Sequence, residues 1–118
     1  MVLLGGGGGS LARYVIGSVI AARTGGRFPL GTLIVNVSGS FLIGLVMTLL
    51  TERLQPHPNW RLLLVVGFLG GYTTFSTFEY ETFRAVQDGG KWIGLLNVVG
   101  SVALGYAAVW VGAAIARQ

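Results

Sequence analysis

Tyr72, Thr73, Thr74, Ser76 and Thr77 put hydroxyls at nearly every position of a short run inside GFLGGYTTFSTFEYETF (residues 67–83), with Phe75 and Phe78 set among them. The surrounding residues are apolar enough for lipid, where a hydroxyl without a partner is costly. Gly70 and Gly71, directly before Tyr72, weaken a helix at mid-span. A helix interrupted at membrane depth frees carbonyl and N–H groups, which persist only where protein, ions or water satisfy them. Carbonyl oxygens at such a break suit a hard cation such as Na⁺, and the new helix N-terminus favours an anion. Phe75 and Phe78 are three residues apart, hence neighbours on one helix face, and the edge of an aromatic ring is positive. Two ring edges polarise a passing anion without holding it, the compromise that conduction needs. The same residues also fit a kinked structural helix, with the rings packing and the hydroxyls satisfying the broken backbone.

Other polar residues sit where lipid is expected. Arg13 lies in the middle of its span, roughly 13 Å from either end by helical rise. A buried arginine costs at least about 2.5–3.5 kcal/mol on insertion scales. Either the helix is tilted or the span starts later, with Arg13 near the interface, or Arg13 lines a wet vestibule and attracts anions. Asn36, within LIVNVSGSFLIG, carries an amide that needs partners when buried, and tying two helices together is the commoner use of such a residue. Asn97 and Ser101 stand one helical turn apart on a common face.

These residues must be positioned by spanning helices. The chain has 118 residues, 53% hydrophobic and 10% charged, against roughly 25% charged in a typical soluble domain. At about 20 residues per span, it holds four helices with short turns and no separate soluble domain. Punctuation places them at about 2–22, 30–51, 60–83 and 92–116, the first turn being marked by Gly25, Gly26 and Pro29 and the second by Pro56 and Pro58. Trp60 and Trp92 open spans, where an amphipathic ring suits the interface. The N-terminus lacks the cationic region of a cleaved signal peptide, so the first apolar stretch is expected to stay as a helix.

The net charge of +4 comes from eight Lys/Arg and four Asp/Glu. The cations are scattered singly, which argues against nucleic-acid binding. With no cysteine, disulfides, thiolate metal sites and cysteine nucleophiles are excluded. His57 sits in a Pro-rich turn and makes a poor catalytic or metal-binding candidate. Arg53, Arg61 and Arg117 fall on one side of the membrane, and Arg23, Arg27, Arg84 and Lys91 on the other. That near balance fixes no orientation under the positive-inside rule, so copies can insert both ways and pair as an antiparallel homodimer. GGGGGS (residues 5–10) lacks the Gly-Lys-Ser/Thr ending of a phosphate loop and follows no strand. Close helix packing is its better reading.

GGYTTFSTF followed by EYET, with GTLIVNVSGSF in the second span, resembles the Fluc (CrcB) fluoride channels. GGSLARY and NVVGSVALGYAAVWVG extend the resemblance over nearly the whole chain. It implies an all-α membrane protein of four transmembrane helices, the third broken, assembled as an antiparallel dual-topology homodimer with two pores. It also implies a structural Na⁺ at the dimer centre, held by the backbone carbonyls of Gly70 and Thr73. Phe75 and Phe78 would line the fluoride paths with their ring edges, and Asn36 would donate its amide. Ser76, Thr77 and Ser101 would form a polar track with Glu81 near it, and Arg13 would stand at the vestibule. The expected role is passive fluoride efflux across the bacterial inner membrane, lowering cytoplasmic fluoride. The glycine run is richer than is usual for the family.

The alternative is a small proton-coupled exporter of the small multidrug-resistance type, also a four-helix dual-topology dimer. It needs a membrane-embedded carboxylate, whereas the expected first, second and fourth spans carry no Asp or Glu. Glu79 and Glu81 lie toward the end of the third. A purely structural subunit leaves the YTTFSTF track without a purpose, and no nucleophile–base pair or metal-ligand cluster suggests an enzyme.

Overall fold

A computed structural model describes residues 1–25 and 28–118. The described chain is helical nearly throughout, with a long dimension of 49 Å, against about 40–45 Å for a bilayer with its headgroups. Helix α1 spans Val2–Thr24 and stops at Gly25, whose φ of +74° is the left-handed cap that glycine adopts freely. Helix α2 spans Leu30–Leu54, its last six residues wound as a π-helix. The third span, Pro58–Gln87, is two helices, α3 (residues 58–72) and α4 (Ser76–Gln87). Helix α5 spans Lys91–Ala116. Gly26 and Arg27, assigned to the first turn and to the cations of one face, lie outside the described residues.

Most helix ends run past the bounds expected from apolar residues alone. At the end of α2, Glu52 accepts from Arg117 through both carboxylate oxygens, each at 3.0 Å, so the helix carries its charges into the headgroup zone. His57 plays a plain structural part. Its Nδ1 accepts from Asn59 N–H at 3.1 Å, capping α3 just ahead of Pro58. Met1 shares a hollow with His57 and Trp60, so the N-terminus, the second loop and the C-terminus meet at one end.

Helices α2, α3–α4 and α5 are long and apolar enough to cross a membrane. Helix α1 has 23 residues, about 34 Å at 1.5 Å per residue, but its glycines and Arg13 dilute its apolarity. Helix α5 lies along α2, α1 along α3, and α4 packs on α5. In lipid no hydrophobic force draws helices together, so close backbone approach must do so. A Cβ at Gly44 would overlap the Val109 carbonyl, and one at Gly112 would overlap that of Phe41. Gly5 and Gly9 do the same for α1, where a Cβ would overlap the carbonyls of Leu63 and Phe68 on α3. The apolar core is small (Val35, Val65, Leu69, Tyr72, Phe78 and Ala116), whereas large side chains such as Leu96, Val102 and Trp110 on α5 face outward.

Candidate functional site

The interruption between α3 and α4 is organised by diverted hydrogen bonds. The helical pattern would send Thr74 N–H to Gly70 O, but Thr73 is extended (φ −86°, ψ 156°) and Thr74 N–H donates instead to Asn36 Oδ1 at 2.8 Å. Asn36 Nδ2 returns a bond to Thr74 O, also at 2.8 Å, so one side-chain amide grips both backbone groups of one residue. Thr77 N–H turns to Thr74 Oγ1 at 3.3 Å rather than to Thr73 O. Gly71 O, whose helical donor would be Phe75 N–H, accepts from Arg13 Nε at 3.0 Å. Among the described residues, the carbonyls of Gly70, Tyr72 and Thr73 are left without the donors a continuous helix would give them. The N–H groups of Phe75 and Ser76, at the start of α4, are likewise free of backbone partners.

Two clefts, each of about 340 Å³, flank the break and share Thr74. One is lined by Asn36, Ser40, Gly70, Thr73 and Phe75. Its oxygen donors are hard and uncharged, the kind a hard cation such as Na⁺ accepts, so the residues present fit the ion that the resemblance implies. The other cleft, between α1, α2 and α4, is lined by Arg13, Ser18, Thr32, Thr77 and Glu81. There Thr32 Oγ1 donates to Glu81 Oε1.

The expected site residues therefore fall into groups. Asn36, Gly70, Thr73 and Phe75 share the first cleft, and Arg13, Thr77 and Glu81 share the second. Phe75 and Phe78 have ring centroids 5.9 Å apart and planes inclined at 55°. Their settings differ, since Phe75 is 74% exposed on this chain and Phe78 only 6%. Ser76 is exposed at the start of α4. Ser101 stands apart on α5, donating to Asn97 Oδ1 at 3.3 Å.

Two polar networks were not expected from the sequence. Asn97, 1% exposed, donates through Nδ2 to Thr82 Oγ1 at 2.8 Å, and Thr82 donates to Phe78 O at 2.8 Å. This chain joins α5 to the backbone beneath the buried phenylalanine. Thr82 lies one turn after Phe78, and that spacing was the available signal. Tyr72 OH and Ser38 Oγ, 2.8 Å apart, join α3 to α2 just before the break. No signal short of the tertiary fold pairs them.

Comparison with known proteins gives one answer. Residues 1–113 match the family model described as CrcB-like protein, Camphor Resistance (CrcB). Among relatives, the fluoride-specific ion channel FluC of Solibacter usitatus is 71% identical over 118 residues, covering 100% of this chain and 97% of that protein. The FluC of Acidobacterium capsulatum is 50% identical, covering 99% and 94%, and that of Coxiella burnetii strain CbuK_Q154 is 46% identical, covering 100% and 96%. A family match over residues 1–113, together with a break built from the residues that carried the sequence resemblance, places this chain in the CrcB-like family.

Proposed function

We propose that the chain is a fluoride-selective ion channel, a multi-pass protein of the bacterial inner membrane that lets fluoride leave the cell passively. The observation that carries this reading is the interrupted third span. Asn36 holds it open, the free N–H groups of Phe75 and Ser76 mark the positive end of α4, and an aromatic pair stands beside them. Fluoride is small and strongly hydrated, so a selective path needs compact donors to replace water. N–H groups, hydroxyls and ring edges meet that need.

The assembly belongs to the same reading. The near balance of cations between the two ends supports insertion in both orientations and pairing of antiparallel copies. The freed carbonyls of Gly70 and Thr73 support Na⁺ at the centre of such a pair, two oxygens from each copy. When bound, the ion supplies fixed positive charge beside the anion path.

Coupled export is the weaker reading. Helix α2 runs on to Leu54 and so includes Glu52, a carboxylate outside the expected bounds of that span. Glu52 is exposed and paired with Arg117 at the helix end, remote from the mid-membrane position that proton exchange requires. The test is efflux from proteoliposomes, recorded with fluoride and chloride electrodes in the absence of a proton gradient. Rapid fluoride loss with little chloride loss is the expected result. Transport that appears only with a pH gradient would overturn the channel reading in favour of coupled exchange.

A further inference from the structure

Gly5, Gly9 and Arg13 recur at four-residue intervals, so one face of α1 presents two bare backbone positions and then a guanidinium. The bare positions bring α1 against α3 closely enough that a side chain at either would overlap α3 carbonyls. Approach is also close at the far end of α3, where a Cβ on Gly71 would lie 2.6 Å from Gly6 O and 3.0 Å from Ser10 Oγ. The packing thereby delivers Arg13 to the last turn of α3. There Nε, the inner nitrogen of the guanidinium, donates to Gly71 O at 3.0 Å. That carbonyl has lost its helical donor to the break, and a cation at a helix C-terminus also meets the negative end of the dipole.

We infer that Arg13 is a positioning residue: its Nε fixes the Gly71 carbonyl, and with it the α3 edge of the break. This role is separate from any attraction of its charge for anions. It explains why, among the carbonyls that lose helical donors, Gly71 O is held by Arg13 while those of Gly70, Tyr72 and Thr73 stay available. The terminal nitrogens of Arg13 make no hydrogen bond among the described residues, and the side chain lines the cleft with Thr32, Thr77 and Glu81. One side chain thus divides its work: the inner nitrogen shapes the backbone, and the outer ones carry charge to the cleft.

The transport part of the test rests on the channel reading; a spectroscopic part does not. Protein labelled with [1-¹³C]glycine and [¹⁵N]tyrosine reports the carbonyls of the Gly71–Tyr72 and Gly105–Tyr106 pairs, and Gly105, in α5, serves as internal control. Solid-state NMR in bilayers is expected to show the Gly71 carbonyl of Arg13→Leu moved upfield, with Gly105 unchanged. Fluoride efflux is expected to fall about tenfold, the loss of one charge-assisted hydrogen bond. Arg13→Gln sets an amide nitrogen where Nε stood and removes the charge, so it should keep the Gly71 shift and recover most of the lost efflux. Arg13→Lys keeps the charge but carries its ammonium one bond farther out, and it should recover less. An unmoved Gly71 signal in Arg13→Leu overturns the inference, as does efflux restored by Lys and not by Gln. Wild-type protein that passes no fluoride would sink the channel reading, while the carbonyl shift would still decide the role of Nε.

Discussion

Replacing Asn36 by leucine, which has nearly the same shape, removes both arms of the grip on Thr74. The open break loses two hydrogen bonds of 2.8 Å, each worth about 1 kcal/mol net. The closed alternative, in which Thr74 N–H rejoins Gly70 O in the ordinary helical pattern, is the same with either residue. The substitution therefore shifts the balance against the open break by about 2 kcal/mol, roughly 30-fold in population at 1.4 kcal/mol per tenfold. Fluoride efflux from proteoliposomes containing Asn36→Leu is therefore expected to fall roughly 30-fold. Hydrogen exchange of the Thr74 amide should persist at a protected rate, since the proton changes partner and is not exposed. Asn36→Asp gives an informative contrast. It keeps the acceptor for Thr74 N–H but loses the donor to Thr74 O and adds a negative charge. Its break should stay open while anion passage is impeded. Efflux by Asn36→Leu within a few-fold of wild type, in protein that still assembles normally, would refute the view that Asn36 keeps the helix interrupted.

Phe75→Leu and Phe78→Leu should both slow fluoride passage without disturbing assembly on a sizing column. Only Phe78→Leu should also lower the melting temperature, because its ring is buried in the chain and that of Phe75 is not. Gly9→Val should abolish recovery of well-dispersed protein, since its Cβ would overlap the Phe68 carbonyl and force α1 away from α3. Exhaustive replacement of Na⁺ by a large organic cation is expected to reduce efflux and loosen the assembly, read by electrode and by crosslinking. Glu52→Gln should leave efflux unchanged, because an exposed ion pair at a helix end contributes little.

The four helical stretches and the position of the break were legible because local chemistry sets them. Gly25, with its positive φ, and Pro58, at the start of α3, end and begin helices by backbone geometry alone. The π-helical windings Leu49–Leu54 and Leu62–Leu69 were not legible, since nothing in those leucine-rich stretches distinguishes an i→i+5 pattern from the ordinary one. The partners of the polar residues were also hidden. Asn36 was picked out because an amide in lipid demands bonds, but its grip on Thr74, 38 residues away, depends on how α2 crosses the break. The role of Thr82 under Asn97 was missed for the same reason.

The hidden part is where function resides. A glycine pair weakens a helix at modest cost and does not choose which carbonyls become available. That choice lies with the residues that intercept particular N–H groups or occupy particular carbonyls: Asn36 takes the donor of Gly70 O, the Thr74 hydroxyl takes the donor of Thr73 O, and Arg13 covers Gly71 O. Each acts on a backbone group whose identity is the same in every residue, so what distinguishes the break from any other kink is which groups are diverted. A substitution of Gly70, whose Cβ would meet only an ordinary contact, tests helix flexibility, whereas one at Gly71 would also push α1 away. Substitutions of Asn36, Thr74 and Arg13 test the selection itself, and their effects should be non-additive because all three act on a single stretch of backbone.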